Sequence, residues 1–154
     1  MFLFFSSALA IAVASILQLS NIFIFGVKPN LPLAFLLVLS LINKSWLKRI
    51  ALIATSVLIL NFYPDPVWLF DPRLWMFIII MLFSVLAMDL LPWAHLINLI
   101  VIIILATFSL NLYHFSFSAV FLEIFYNLLL GVTVFMMLKT KTYGFSEEKN
   151  GFKF

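Results

Sequence analysis

The chain has no cysteine. That excludes a disulfide framework, a thiolate-bound zinc or iron–sulfur centre and a thiol nucleophile. Charge is nearly as scarce: 10% of the residues are Asp, Glu, Lys or Arg, against about 25% in ordinary soluble domains. The four glycines, Gly26, Gly131, Gly144 and Gly151, are too dispersed for a phosphate-cradling loop. Two histidines, Glu123 and three aspartates are too few and too scattered to suggest a metal site. No Ser–His–Asp pattern stands out and no basic, aromatic-interleaved patch suits nucleic acid. The sequence thus gives no reason to expect an enzyme, a cofactor, a metal or a nucleic-acid partner.

What is abundant is apolar side chain. Hydrophobic residues make up 66% of the 154, where soluble domains carry roughly 45–50%. A water-soluble fold of this size leaves much of its surface exposed and could not hide so many. Hydrocarbon removes that constraint. The expected fold is therefore all-α: a polytopic membrane helix bundle of about six transmembrane helices over 1–138, followed by a polar cytoplasmic tail over 139–154. Membrane lipids are its first partners.

The segments are read in chain order. Phe2–Phe25 is apolar and lacks a basic leader, so it reads as a retained first helix rather than a cleaved signal. Gly26 and Pro29 break it. Leu31–Ile42 is apolar but has only 12 residues, about 18 Å of helix against a hydrocarbon core of about 30 Å. It is either a short span extended by its flanks or a re-entrant segment. Asn43–Arg49 is a polar stop. The third helix is expected over Trp46–Phe62, with Lys48 and Arg49 snorkelling toward headgroups. Tyr63–Arg73 is a proline-rich loop. The remaining helices are Leu74–Leu91, Ala94–Tyr113 and Ser118–Leu138, the last two joined by a tight turn at His114–Phe117. Lys139–Phe154 shows no apolar periodicity and is expected to be mobile. Trp46, Tyr63, Trp68, Trp75, Trp93, Tyr113 and Tyr143 fall at the expected boundaries, where amphipathic rings favour the headgroup level.

Basic residues suggest an orientation. With the N-terminus in the cytoplasm, the cytoplasmic segments hold Lys44, Lys48, Arg49, Lys139, Lys141, Lys149 and Lys153. The outer loops hold only Lys28 and Arg73. This imbalance favours both termini on the cytoplasmic side. A re-entrant second segment would instead move the N-terminus outside.

The sixth segment carries the most chemistry. Ser116, Ala119, Glu123, Asn127 and Gly131 share one helical face, small and polar, which should pack inward or against a partner. Glu123 is the one carboxylate well inside a segment. It is read as an interhelical hydrogen-bond anchor in preference to a ligand contact or a proton-coupled switch. Thr107, Asn111 and His114 share a face of the fifth helix and could meet Glu123 across the turn. Asp89, near His95 in sequence, and Asp65, Asp71 and Arg73 read as solvated interfacial charges. Ala8, Ala12 and Ser15, followed by Gln18, and Ala51 with Thr55 form stripes suited to helix packing.

The stretch NIFIFGVKPNLPLAFLLVLSLI places a basic-Pro-Asn turn, Lys28-Pro29-Asn30, between an apolar helix and a short Leu-rich one. In this it resembles the MreD family of bacterial rod shape-determining membrane proteins. There an Arg-Pro-Asn or Arg-Pro-Asp turn often stands at this place. EIFYNLLLGVTVFMMLKTK also resembles the family's last helix, with Asn127 near its middle and Lys139 and Lys141 at its exit. ATSVLILNFYPDPVWLFDP departs from the family's Gly-rich middle region. The resemblance implies a non-enzymatic scaffold subunit of the cell-elongation, peptidoglycan-synthesising complex, acting with MreC-like and other elongation-complex proteins. The family is itself similar to the substrate-binding subunits of energy-coupling-factor vitamin transporters, which gives an alternative function. Under either reading the partner or ligand contacts are expected among Lys28, Pro29, Asn30, Asn111, His114, Glu123 and Asn127.

Overall fold

The structure, a computed structural model, describes residues 2–20, 23–24, 26–61, 72–92, 94–112 and 116–150; side chains are described for these except Phe2, Arg73 and 140–150. Among the described residues there are six helices: α1 (Phe2–Leu19), α2 (Leu31–Ile42), α3 (Trp46–Asn61), α4 (Pro72–Leu90), α5 (His95–Leu110) and α6 (Phe117–Asn150).

Helix α2 organises the rest. The Asn30 side chain caps it by accepting the Leu33 N–H at 3.1 Å, and Pro32 sits in the first turn, where its missing N–H has no intrahelical partner to lose. Its sequence, LPLAFLLVLSLI, is apolar on every side, as a helix surrounded by protein must be. Leu33, Leu36, Leu37 and Val38 are completely buried. Every other helix touches α2, and the outer helices neighbour one another in the order α1, α3, α4, α5, α6. Ile11, Leu52, Met81, Leu99 and Ile103 complete the core from that ring.

Two side-chain bonds fix the direction of α2. Gln18 Oε1 accepts the Leu31 N–H at 3.0 Å, and Asn43 Nδ2 donates to Ser7 Oγ at 3.2 Å. Thus α2 runs antiparallel to α1 and returns the chain to the end of the bundle where α1 starts. The bounds of α2 and the start of α3 at Trp46 agree with the sequence reading; the end of α1 does not. Helix α1 stops at Leu19, short of Phe25, because the Ser20 N–H closes a turn onto the Leu17 carbonyl at 3.1 Å. A hairpin follows, with reciprocal Ile24–Val27 bonds of 2.8 and 3.1 Å around Gly26 at φ 78°. That left-handed conformation favours glycine. Apolar composition alone could not separate this hairpin from the helix before it. At the other terminus α6 continues as helix to Asn150 instead of ending at Leu138. Tyr63, Pro64, Asp65, Pro66, Trp68, Asp71, Trp93, Tyr113 and His114 lie outside the described residues, as do the side chains of Arg73, Lys141, Tyr143 and Lys149.

The outer surface is apolar. Phe5 and Leu9 on α1, Leu58 on α3, Phe83 on α4, Leu105 on α5, and Phe121, Phe125 and Leu129 on α6 are all exposed. Among the described residues one helical stretch, Phe117–Lys139, is both long and apolar enough to cross a membrane, with 23 residues; shorter apolar helices are Leu3–Leu19, Leu31–Ile42, Leu74–Leu90 and His95–Leu110.

Polar groups are drawn inward. Ser15 and Ser56 join α1 to α3 through a buried hydroxyl pair at 3.0 Å. Replacing either serine by alanine orphans its partner and should cost about 1 kcal/mol, whereas the double replacement should cost less than the two singles summed. Unfolding by SDS titration in mixed micelles measures this; strict additivity would mean the pair is not coupled.

The end of the bundle where α2 and α4 finish overturns one expectation. Arg49 does not snorkel. It is 5% exposed, and its Nε donates to the carbonyls of Ser40 (3.0 Å) and Asn43 (2.7 Å), closing the C-terminus of α2. One of its terminal nitrogens meets Asp89 Oδ2 at 2.5 Å, and its guanidinium lies over the Trp46 ring at 5.6 Å. The last carbonyls of a helix lack internal partners, and a buried end must find them elsewhere. Asn98 does the same for α4, its Nδ2 donating to Leu91 O at 3.0 Å. Asp89 is correspondingly paired, not merely solvated, although its side chain remains 40% exposed.

Candidate functional site

The residues singled out in the sequence come from three places: the α1–α2 turn, the end of α5 and the middle of α6. The fold joins them. Pro29 is buried, and the backbone N–H of Asn30 donates to Asn127 Oδ1 on α6 at 2.8 Å, across 97 residues of sequence. Asn127 is fully buried. Its Nδ2 in turn donates to Thr107 Oγ1 on α5 at 3.0 Å. Asn111, at the end of α5, donates to the Thr107 carbonyl (2.9 Å) and to Glu123 Oε2 (2.9 Å). Asn30, Thr107, Asn111, Glu123 and Asn127 therefore form one linked array.

Local sequence explains each placement. Asn127 lies one helical turn beyond Glu123, so the two share the inward face of α6. Along that face Ser116 is exposed, Ala119 and Glu123 are half-buried, and Asn127 and Gly131 are buried. A β-carbon built at Gly131 would stand 2.5 Å from Ile103 Cδ1, so the glycine lets α5 and α6 approach closely beside the array. Lys28 lies apart from it, with its ammonium 6.0 Å from the centre of the Phe23 ring. His114 is outside the described residues.

Gln18 was missed as a member. In the sequence it closes a small-residue stripe; in the fold its Oε1 takes the Leu31 N–H. Three amide side chains, Gln18, Asn30 and Asn127, thus accept the N–H groups that open α2. A polar residue ending an apolar helix, followed within a dozen residues by a short helix needing caps, is the signal that could have found it. Chemically the array binds helix to helix: four of the six helices meet in it, and each named contact joins a donor to an acceptor in a part-buried or buried setting, where an unmade bond is costly.

Comparison with known proteins finds no matching protein family, no similar curated protein and no similar solved structure.

Proposed function

We propose that the chain is a membrane-embedded, non-enzymatic scaffold subunit, similar in role to MreD, of a bacterial cell-elongation complex. The membrane part of this reading draws support from the apolar perimeter on all the outer helices and from the length of Phe117–Lys139. A water-soluble protein rarely exposes so many large apolar side chains together. On the same reading, α1 to α5 are short spans completed by their flanking residues, and the excess of lysines around the α2–α3 junction and from Lys139 onward favours both termini in the cytoplasm.

The observation that carries the scaffold reading is the Asn30–Asn127 bond. The two stretches in which the sequence resembles MreD are far apart in the chain, and they meet at this contact. Their polar groups bind one another, which suits a rigid docking body better than a vitamin-binding subunit, whose polar groups would converge on a ligand. Small and polar helix faces would hold the bundle, and its apolar outer faces would take partner helices.

The test is genetic and biochemical together. Depletion in a rod-shaped host should round the cells, and pull-down from detergent extracts should recover an MreC-like protein. Normal rods after clean deletion would overturn the role. Recovery of a folded monomer from the aqueous fraction without detergent would overturn the membrane reading as well.

A further inference from the structure

We propose that the α2–α3 turn is a binding site for the headgroup of an anionic phospholipid; this rests on the membrane reading above. After buried Asn43, the five consecutive residues Lys44, Ser45, Trp46, Leu47 and Lys48, the last three opening α3, are all exposed, whereas the preceding helix α2 is mostly buried. Leu47 is 79% exposed. A single exposed leucine in the first turn of a helix would be unremarkable alone, but this one stands between two lysines and beside a tryptophan that is itself half in the open.

Charge decides what fits. The only acids among the described side chains are Asp89 and Glu123. Asp89 is bound to Arg49, and Glu123 takes its bond from Asn111. Among the described residues neither Lys44 nor Lys48 has an acidic partner, so within them this segment presents two positive charges with no carboxylate against them. Arg49 contributes by being absent from the surface: it neutralises the nearby carboxylate and fastens the base of the turn to the carbonyls of Ser40 and Asn43. The Trp46 ring is held against the same guanidinium. On that anchored base the segment offers two ammonium groups for a phosphate, an indole for the headgroup level and a leucine for the upper acyl chains. A zwitterionic headgroup offers the same phosphate with a cation beside it and should bind less well.

Trp46 supplies its own probe. With Trp68, Trp75 and Trp93 changed to phenylalanine, its fluorescence in vesicles should be quenched more strongly by brominated phosphatidylglycerol than by brominated phosphatidylcholine. Lys44→Gln or Lys48→Gln should each lower that preference by about 5-fold, and the pair by more than either alone. The unaltered chain gives a second readout should the tryptophan variant fail to fold: phosphatidylglycerol retained after detergent exchange should fall in the K44Q/K48Q protein. Equal quenching by both lipids, or equal retention with and without the lysines, overturns the headgroup site and leaves the membrane reading standing. A folded chain in lipid-free water overturns both.

Discussion

Changing Asn127 to leucine should remove about 3 kcal/mol of unfolding free energy, because each buried group left without a partner costs about 1–3 kcal/mol. The substitution is close in size and adds apolar area, so transfer energy argues for stabilisation. Two orphaned groups argue the other way and win. The Asn30 N–H loses its acceptor, and the Thr107 hydroxyl loses its donor. The Asn30 bond also sets the depth at which α2 begins, so its loss loosens the helix on which all the others pack. Thr107→Val should be milder, near 1 kcal/mol, since it breaks one of these contacts. Combined, the two should cost clearly less than their sum, because the second removes a partner already lost. SDS titration in mixed micelles reads all three variants. A loss under about 0.5 kcal/mol for Asn127→Leu, within the range of an unremarkable surface change, would show that α2 is held in place without this amide.

Asp89→Leu should be comparably severe. It strands the guanidinium of Arg49, a residue only 5% exposed, with two carbonyls and the face of the Trp46 ring but no counter-charge. Breaking a buried ion pair from one side typically costs about 3–5 kcal/mol. Because the Asp89 side chain is 40% exposed and water can partly replace it, about 3 kcal/mol is expected here. Arg49→Met orphans the Ser40 and Asn43 carbonyls instead, and should cost about 2 kcal/mol. The double variant tests the pairing directly: the two effects should fail to add by about 1–3 kcal/mol. Full additivity would mean that the 2.5 Å contact contributes nothing in solution.

Much of this bundle is legible in the sequence. The six apolar stretches follow from composition, and the bounds of α2 follow from the Gly26 and Pro29 break before it and the polar stop that starts at Asn43. The inward face of α6 follows from helical periodicity, and that face placed Glu123 within reach of Asn111. What could not be read depends on long-range pairing. A Lys48-Arg49 pair beside a polar stop looks the same whether both cations reach for water or one folds inward. Only the position of Asp89, 40 residues away, distinguishes the two. Gln18 and the Ser15–Ser56 link were hidden for the same reason. The end of α1 was misplaced because Ile24 and Val27 are as apolar in a hairpin as in a helix, and the extension of α6 to Asn150 because polar residues continue a helix without any period that betrays it.

The distance along the chain between Asn30 and Asn127 has a consequence for biogenesis. The donor is synthesised 97 residues before its acceptor, an interval on the order of 5–20 s at ordinary rates of translation. On the proposed membrane reading, the nascent chain throughout that interval holds a twelve-residue helix too short to be secure in lipid by itself, with the clasp that will seat it still unmade. Only when α6 has emerged can the Asn30–Asn127 bond close.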